Sequence, residues 1–280
     1  MIHPATTPSP ALHRVSPLRR AWLGILSAVV LLESTARTDA MAQLAINRTE
    51  VVFEAGPHQP ATEVIEIRNE SATAVQAVIK LEDWDRAEDG TNRWLPYGTL
   101  NGSCGNAITV FPLALSLDPG AVQSVRITRD TAHARSAECW AAAIVETVVP
   151  RIEAGRSVNY HLRLATKLYL QPEGLHASGE LASMEVAESA TAPATRQLDL
   201  VFANTGARHL ESTGELQIRR PDNTVAGSLT LPTLYTLPGA RARALVTLPH
   251  LPPGRYVLLA VFDFGGDELA AGQLEYEVTG

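Results

Sequence analysis

The side chains that could do chemistry in this 280-residue chain are scattered rather than grouped. There is no Gly-x-Ser-x-Gly elbow, no His-Glu-x-x-His and no Gly-rich phosphate loop ending in Lys-Ser/Thr. Beyond residue 42 the histidines are His58, His133, His161, His176, His209 and His250, each isolated in sequence, the pattern of solvated surface histidines. The acidic run LEDWDRAED (81–89) could suggest Ca²⁺, which takes oxygen ligands, but it lacks the spacing and glycine of a calcium loop and reads as a solvated strand end. The two cysteines, Cys104 and Cys139, have no nearby histidine pair with which to complete a tetrahedral metal site. No cofactor or metal is expected, and the chain reads as a non-enzyme.

What remains is a set of elements with one exceptional member. RSVNYHLRLATKLYL (156–170) alternates, with Val158, Tyr160, Leu162 and Leu164 on one face and Asn159, His161 and Arg163 on the other. Lys167 follows, in a chain whose basic residues are 21 Arg and only two Lys. Any half-buried antiparallel strand alternates in this way, so the pattern fits a strand serving its own sheet as well as an edge offered to another protein.

The chain opens as an exported protein does. Arg14, Arg19 and Arg20 precede an apolar run of 12 residues, Ala21 to Leu32, too short for a helix that must cross a bilayer with about 20. Ala40 and Ala42 then supply the small residues of a cleavage site, so residues 1–42 read as a signal peptide cut after Ala42. No later apolar segment reaches spanning length, and the mature chain 43–280 is expected to be soluble outside the cytoplasm without membrane insertion. Removal of the leader takes away Arg14, Arg19, Arg20 and Arg37 with Glu33 and Asp39, so 23 basic and 30 acidic residues become 19 and 28, a net charge of −9. That balance argues against nucleic-acid and anionic-membrane partners, which need clustered positive charge. In an exported chain Cys104 and Cys139 read as a disulfide, worth ~4 kcal/mol in the chain-entropy model.

From Gln43 onward short runs rich in Val, Ile, Leu and Thr alternate with polar residues. TEVIEIRNE (62–70), AVQAVIKLEDW (74–84), AVQSVRITRD (121–130) and ECWAAAIVETVV (138–149) are separated by EDGTN, LDPGA and EAGRS. A second series holds RQLDLVFAN (196–204), GELQIRR (214–220), RARALVTLP (241–249), GRYVLLAVFDFGG (254–266) and AAGQLEYEV (270–278). The Ala-rich stretch 182–196 reads as strand followed by loop. These signals predict an all-β chain of two tandem immunoglobulin-like sandwiches, 43–172 and 173–280, divided at LQPEG (170–174).

Five segments in order resemble the periplasmic pilus-assembly chaperones of the chaperone–usher pathway. They are LAINRTEVVFEAG (44–56), VIEIRNES (64–71), VFPLALSLDPGAVQSVRIT (110–128), AECWAAAIVETVVP (137–150) and TKLYLQP (166–172), which is similar to the family's Lys-Leu-Tyr/Phe-Tyr-Arg-Pro ending of the first domain. In the second domain VFDFGGD (261–267) and LVFANTG (200–206) are similar to family segments. The resemblance implies a chaperone that binds pilin-like subunits by donating its 157–170 strand and passes them to an outer-membrane usher. The donors would be Val158, Tyr160, Leu162 and Leu164, filling a groove in the subunit. Lys167 would fix the subunit's C-terminal carboxylate. The family's partner arginine is replaced by Glu50, which leaves Arg48, two places earlier on the same face, as the second cation. Gln171 stands where the family has an arginine bridging the domains, with Asp118 and Asp263 as its acidic partners. The cysteine pair is a further departure. Free protein would hide the exposed edge by self-association. Glu50 and Gln171 favour an alternative, an exported structural or adhesive protein of the same fold without chaperone activity. An enzyme or sugar-binding module on this scaffold has no motif behind it.

Overall fold

The computed structural model describes residues 44–54, 56, 59–131, 136–153, 155–188 and 195–279. The expected signal peptide, His58, His133 and the loop after residue 188 lie outside them. The described chain is built of strands. The first series is β1 (Leu44–Ile46), β2 (Glu50–Glu54), β3 (Thr62–Asn69), β4 (Val75–Arg86), β5 (Asn92–Pro96), β6 (Ile108–Phe111), β7 (Ala114–Leu117), β8 (Val122–Arg129), β9 (Cys139–Glu153) and β10 (Arg156–Gln171). The second is β11 (Gly179–Glu188), β12 (Arg196–Asn204), β13 (Leu210–Arg219), β14 (Val225–Thr236), β15 (Arg241–Thr247), β16 (Gly254–Asp263) and β17 (Ala270–Val278).

In the first sandwich a four-stranded sheet, β1-β3-β8-β6, faces a six-stranded sheet ordered β2-β10-β9-β4-β5 with β7 beside β4. The alternation that predicted strands also decides burial. Ile65 and Ile67 of β3, Val125 and Ile127 of β8, and Ala141, Ala143 and Val145 of β9 point into one core with Leu168 of β10. The second sandwich packs β11-β12-β15 on β14-β13-β16-β17 around Leu200, Phe202, Leu216, Ile218, Leu258 and Phe262. The all-β, two-sandwich expectation is what the structure has.

Two segments are each divided between sheets. LAINRTEVVFEAG forms β1 against β3, then crosses over to form β2 against β10. VFPLALSL forms β6 against β8 and, beyond Pro112, β7 against β4. Proline cannot donate to a ladder, so a change of sheet at Pro112 loses no hydrogen bond. The sandwiches also share a turn device. Buried Asn69 donates from Nδ2 to the Thr73 and Leu117 carbonyls at 2.8 and 2.9 Å, while its Oδ1 accepts from Ser71 N–H. Asn204, also buried, does the same with the Arg208 and Thr236 carbonyls and Gly206 N–H.

The Cys104–Cys139 disulfide is formed. It ties the turn after β5 to the first residue of β9. That turn is held by Asp83, whose side chain belongs to the core and not to a solvated strand end. Its Oδ2 accepts from Thr99 and Leu100 N–H at 2.7 and 2.8 Å, and its Oδ1 from the Ser103 hydroxyl at 2.6 Å. Three donors on one buried carboxylate offset the cost of removing it from water.

Candidate functional site: the β10 edge and the cleft at its base

Strand β10 is paired unequally along its two sides. On one side β9 runs antiparallel from Arg156↔Glu153 to Leu170↔Cys139. On the other, β2 joins in parallel only from Lys167↔Glu50 to Gln171↔Glu54. Closure begins where Thr166 Oγ1 donates to the Arg48 carbonyl at 2.7 Å and Lys167 N–H donates to the Thr49 carbonyl at 2.9 Å. Among the described residues no strand pairs with the outer side of Arg156–Thr166. An edge of this length with an alternating apolar face is a template for another chain.

Val158, Tyr160, Leu162 and Leu164 share a face with Thr166, Leu168 and Leu170, so they point toward the interior of their own sandwich. Thr166 and Leu168 are 0% exposed, while the four upper residues are only half-buried. Leu162 and Leu164 pack against the core; Val158 and Tyr160 lie beyond that cluster. The hairpin formed by β9 and β10 outruns its neighbours, because β4 pairs with β9 only between Val78↔Glu146 and Glu82↔Ala142. Its outer face carries exposed Val148 and a charged lattice. Lys80 Nζ lies 2.6 Å from Glu146, while Arg163 reaches Glu82 at 2.6 Å and Glu146 at 2.9 Å. The Lys80 hydrogen bond, with Arg163 beside it, holds the Glu146 carboxyl below its usual range.

At the base, Lys167 points to the opposite face. Its Nζ sits 4.5 Å above the Trp84 ring, a cation–π contact. Burial, reinforced by Arg86 and opposed by Glu50, lowers its pKa from 10.5 to about 8. Arg86, at the end of β4, lies 5.4 Å over the Tyr235 ring and has a buried Nε with no hydrogen-bond partner among the described residues. Trp84, Arg86, Tyr169, Glu50, His209 and Tyr235 line a cleft of about 250 Å³. Arg48 does not stand there as expected: its guanidinium is held 2.7 Å from Glu63 of β3. The basic group that acts on Lys167 is Arg86, which no local motif marks in the sequence.

The expected bridge of Gln171, Asp118 and Asp263 is not assembled among the described residues. Asp118 is exposed in the turn after β7, and Asp263 is exposed and accepts from Gly265 N–H at 2.9 Å. Gln171 Nε2 is buried without a hydrogen-bond partner among the described residues. The sandwiches meet elsewhere. Glu138, its side chain 0% exposed, accepts at Oε2 from His209 N–H at 2.5 Å, and its Oε1 lies 2.6 Å from His209 Nδ1. The His209 ring stacks on Tyr169 with centroids 3.8 Å apart. Leu237 of the second sandwich packs with Trp84, Ile144 and Tyr169 of the first. Burial first, then Glu50 and Glu138, pushes the Tyr169 hydroxyl pKa far up. His209 thus departs from the solvated role that its isolation in sequence suggested.

No family model matches the chain, and no curated protein matches it. Several solved structures are similar to it. The class 5 fimbriae chaperone CfaA has a TM-score of 0.47 at 13% identity, with 84% of this chain and 99% of that chain covered. A chaperone–tip adhesin complex of CFA/I fimbriae biogenesis scores 0.47 at 12% identity over 84% and 98%. The CsuC–CsuE chaperone–tip subunit pre-assembly complex of Acinetobacter baumannii scores 0.45 at 12% identity over 83% and 98%.

Proposed function

We propose that this chain is a periplasmic chaperone that binds pilin-like subunits by strand donation along β10 and passes them to an outer-membrane usher. The observation that carries the reading is the outer side of Arg156–Thr166, left without a strand partner among the described residues while the strand's apolar face is half-covered. A client strand added there would gain a ladder of hydrogen bonds at ~1 kcal/mol each. The larger gain lies in the groove, at ~2 kcal/mol for each apolar side chain fully buried. Val158 and Tyr160 would contribute most, because Leu162 and Leu164 already touch their own core. Lys167 would hold the client's terminal carboxylate with Arg86 as second cation, in place of Arg48. Their charge supports a carboxylate at the point where β2 takes over the edge. The domain division at 170–174 and the cleavage after Ala42 belong to the same reading.

The packing of Leu162 and Leu164 favours the second reading, a structural or adhesive protein whose strand serves its own sandwich. Capture separates the two. Tagged protein would be recovered from its native periplasm beside a Val158→Arg, Tyr160→Arg variant with an unchanged circular dichroism spectrum. Small exported β-proteins recovered with wild type and absent from the variant support donation. Identical partners for both, or none for either, leave the structural reading standing.

A further inference from the structure

A line of rings connects the lysine at the base of β10 to the second sandwich. Lys167 Nζ lies over Trp84 at 4.5 Å, and Trp84 meets Tyr169 edge-on with centroids 6.1 Å apart. Tyr169 in turn stacks on His209 at 3.8 Å with only 17° between the planes. The far end is fixed. Both oxygens of the buried Glu138 carboxylate are spent on His209, one on its backbone N–H and one at Nδ1. A buried carboxylate is tolerated only when paired and hydrogen-bonded, so this contact sets the plane of the imidazole rather than following it. Glu138 itself has little freedom, because the next residue, Cys139, is both disulfide-bonded and paired with Leu170.

We propose that Glu138 and His209 form a lock that positions the Lys167 ammonium from across the junction of the sandwiches. The imidazole fixes the Tyr169 ring, the Tyr169 ring backs Trp84, and Trp84 presents the face on which the ammonium rests. Trp84 is also held by donation from Nε1 to the Ala141 carbonyl at 3.1 Å and by the Trp94 ring 6.4 Å away, so Tyr169 is one of its supports and the one that leads to the second sandwich. His209 is a positioning residue in this scheme and touches no client. The second sandwich becomes part of the anchor. The consequence for client binding rests on the chaperone reading; the positioning does not, and is read on the free protein.

The chain's two lysines make the test direct. In protein labelled with [13Cε]lysine, Lys167 is expected to titrate at about 8, and Lys80, on the outer face of the first sandwich, is the internal control. The other charged and titratable groups around the cleft are Glu50 of β2, Arg86 of β4, Arg208 and Glu211 beside His209, and Tyr235 of β14. None of them is changed in the variants. His209→Asn keeps an amide N–H able to reach Glu138 and removes the ring. It is expected to move the Lys167 midpoint from about 8 toward 10.5 and to reduce the ring-current shift of its ε-carbon, with Lys80 unmoved. His209→Ala should move both further, and Glu138→Gln should move them less in the same direction. If His209→Asn melts as wild type does and leaves the Lys167 midpoint and shift in place, the lock does not position the lysine and the proposal is overturned. Failure of wild type to capture any subunit would sink the chaperone reading and leave this result untouched.

Discussion

Between Arg156 and Thr166, strand β10 has one strand neighbour among the described residues; from Lys167 to Leu170 it has two. The alternation continues across that division, from Val158 to Leu170 on one face, with Thr166 as its one polar member. Yet Leu168 is 0% exposed while Val158, Tyr160, Leu162 and Leu164 are half-buried. The difference lies outside the strand. β2 crosses from the opposite sheet only at Glu50, and it closes the edge from that point on. One strand is therefore closed on both sides at one end and on one side only at the other, with the crossing of the first strand as the boundary. On the lower section's opposite face, Lys167 rests on Trp84 and Tyr169 lines a cleft that the second sandwich helps to build.

Substitutions should separate the two sections. The largest effect is expected at the base, where Leu168→Ala leaves a cavity in a fully buried site and should destabilise the first sandwich by about 2–5 kcal/mol. Val158→Ala should change stability by less than about 1 kcal/mol while sharply reducing subunit capture. Urea titration with parallel capture measures both. Equal destabilisation by the two variants would erase the distinction between base and tip.

Next in size is the crosslink that holds the start of β9. Replacing Cys104 and Cys139 together by Ser should cost about 3–4 kcal/mol in the chain-entropy model, read as a lowered urea midpoint. Capture by the variant at a temperature where it remains folded should persist, because the tip lies at the far end of the hairpin.

The Lys167 amine adds a pH signature to the base alone. Its folded pKa, about 8, lies below the ordinary 10.5, so folding disfavours the charged form. The penalty is fully present below pH 8 and fades as pH rises from 8 toward 10.5. Lys167→Met should therefore gain stability relative to wild type at pH 7, and that advantage should shrink toward pH 10.5 in denaturant titrations. Client affinity should move the other way in wild type. Above pH 8 the neutral amine no longer attracts a carboxylate, so binding weakens, and the variant should show no such loss.

The smallest effect is expected on the outer face of the hairpin. Arg163→Ala breaks contacts to Glu82 and Glu146 that stand in water, and it should cost no more than about 1 kcal/mol, less in high salt. A loss as large as that at Leu168 would mean that the charged lattice, not the core, holds the hairpin in place.

Much of this architecture was legible in the sequence because alternation with a period of two is a local property, and TEVIEIRN, VQSVRITR and GRYVLLAVFD carry it plainly. The crossings within LAINRTEVVFEAG and VFPLALSL were not, since a strand that changes sheets keeps the same composition on both sides. The cysteine pair was legible from its number and context. At the cleft, Lys167 stood out through the rarity of lysine, but the group beside it did not. Arg86 reaches it from β4, and sequence distance hides that meeting. His209 and Glu138 are 71 residues apart and belong to different sandwiches, so only the fold brings them together. Where Arg48 stands was not legible for a related reason: the chain turns out of one sheet at that point, and the guanidinium lies 2.7 Å from Glu63 on β3.

The most direct test of the central claim is hydrogen exchange along β10, in monomeric protein and in complex with a captured subunit. The amides of Arg156–Thr166 that do not face β9 should exchange freely in the monomer and become protected in the complex, while those of Leu168–Gln171 stay protected in both. Slow exchange of the upper amides in the monomer, or no change on binding, would contradict strand donation.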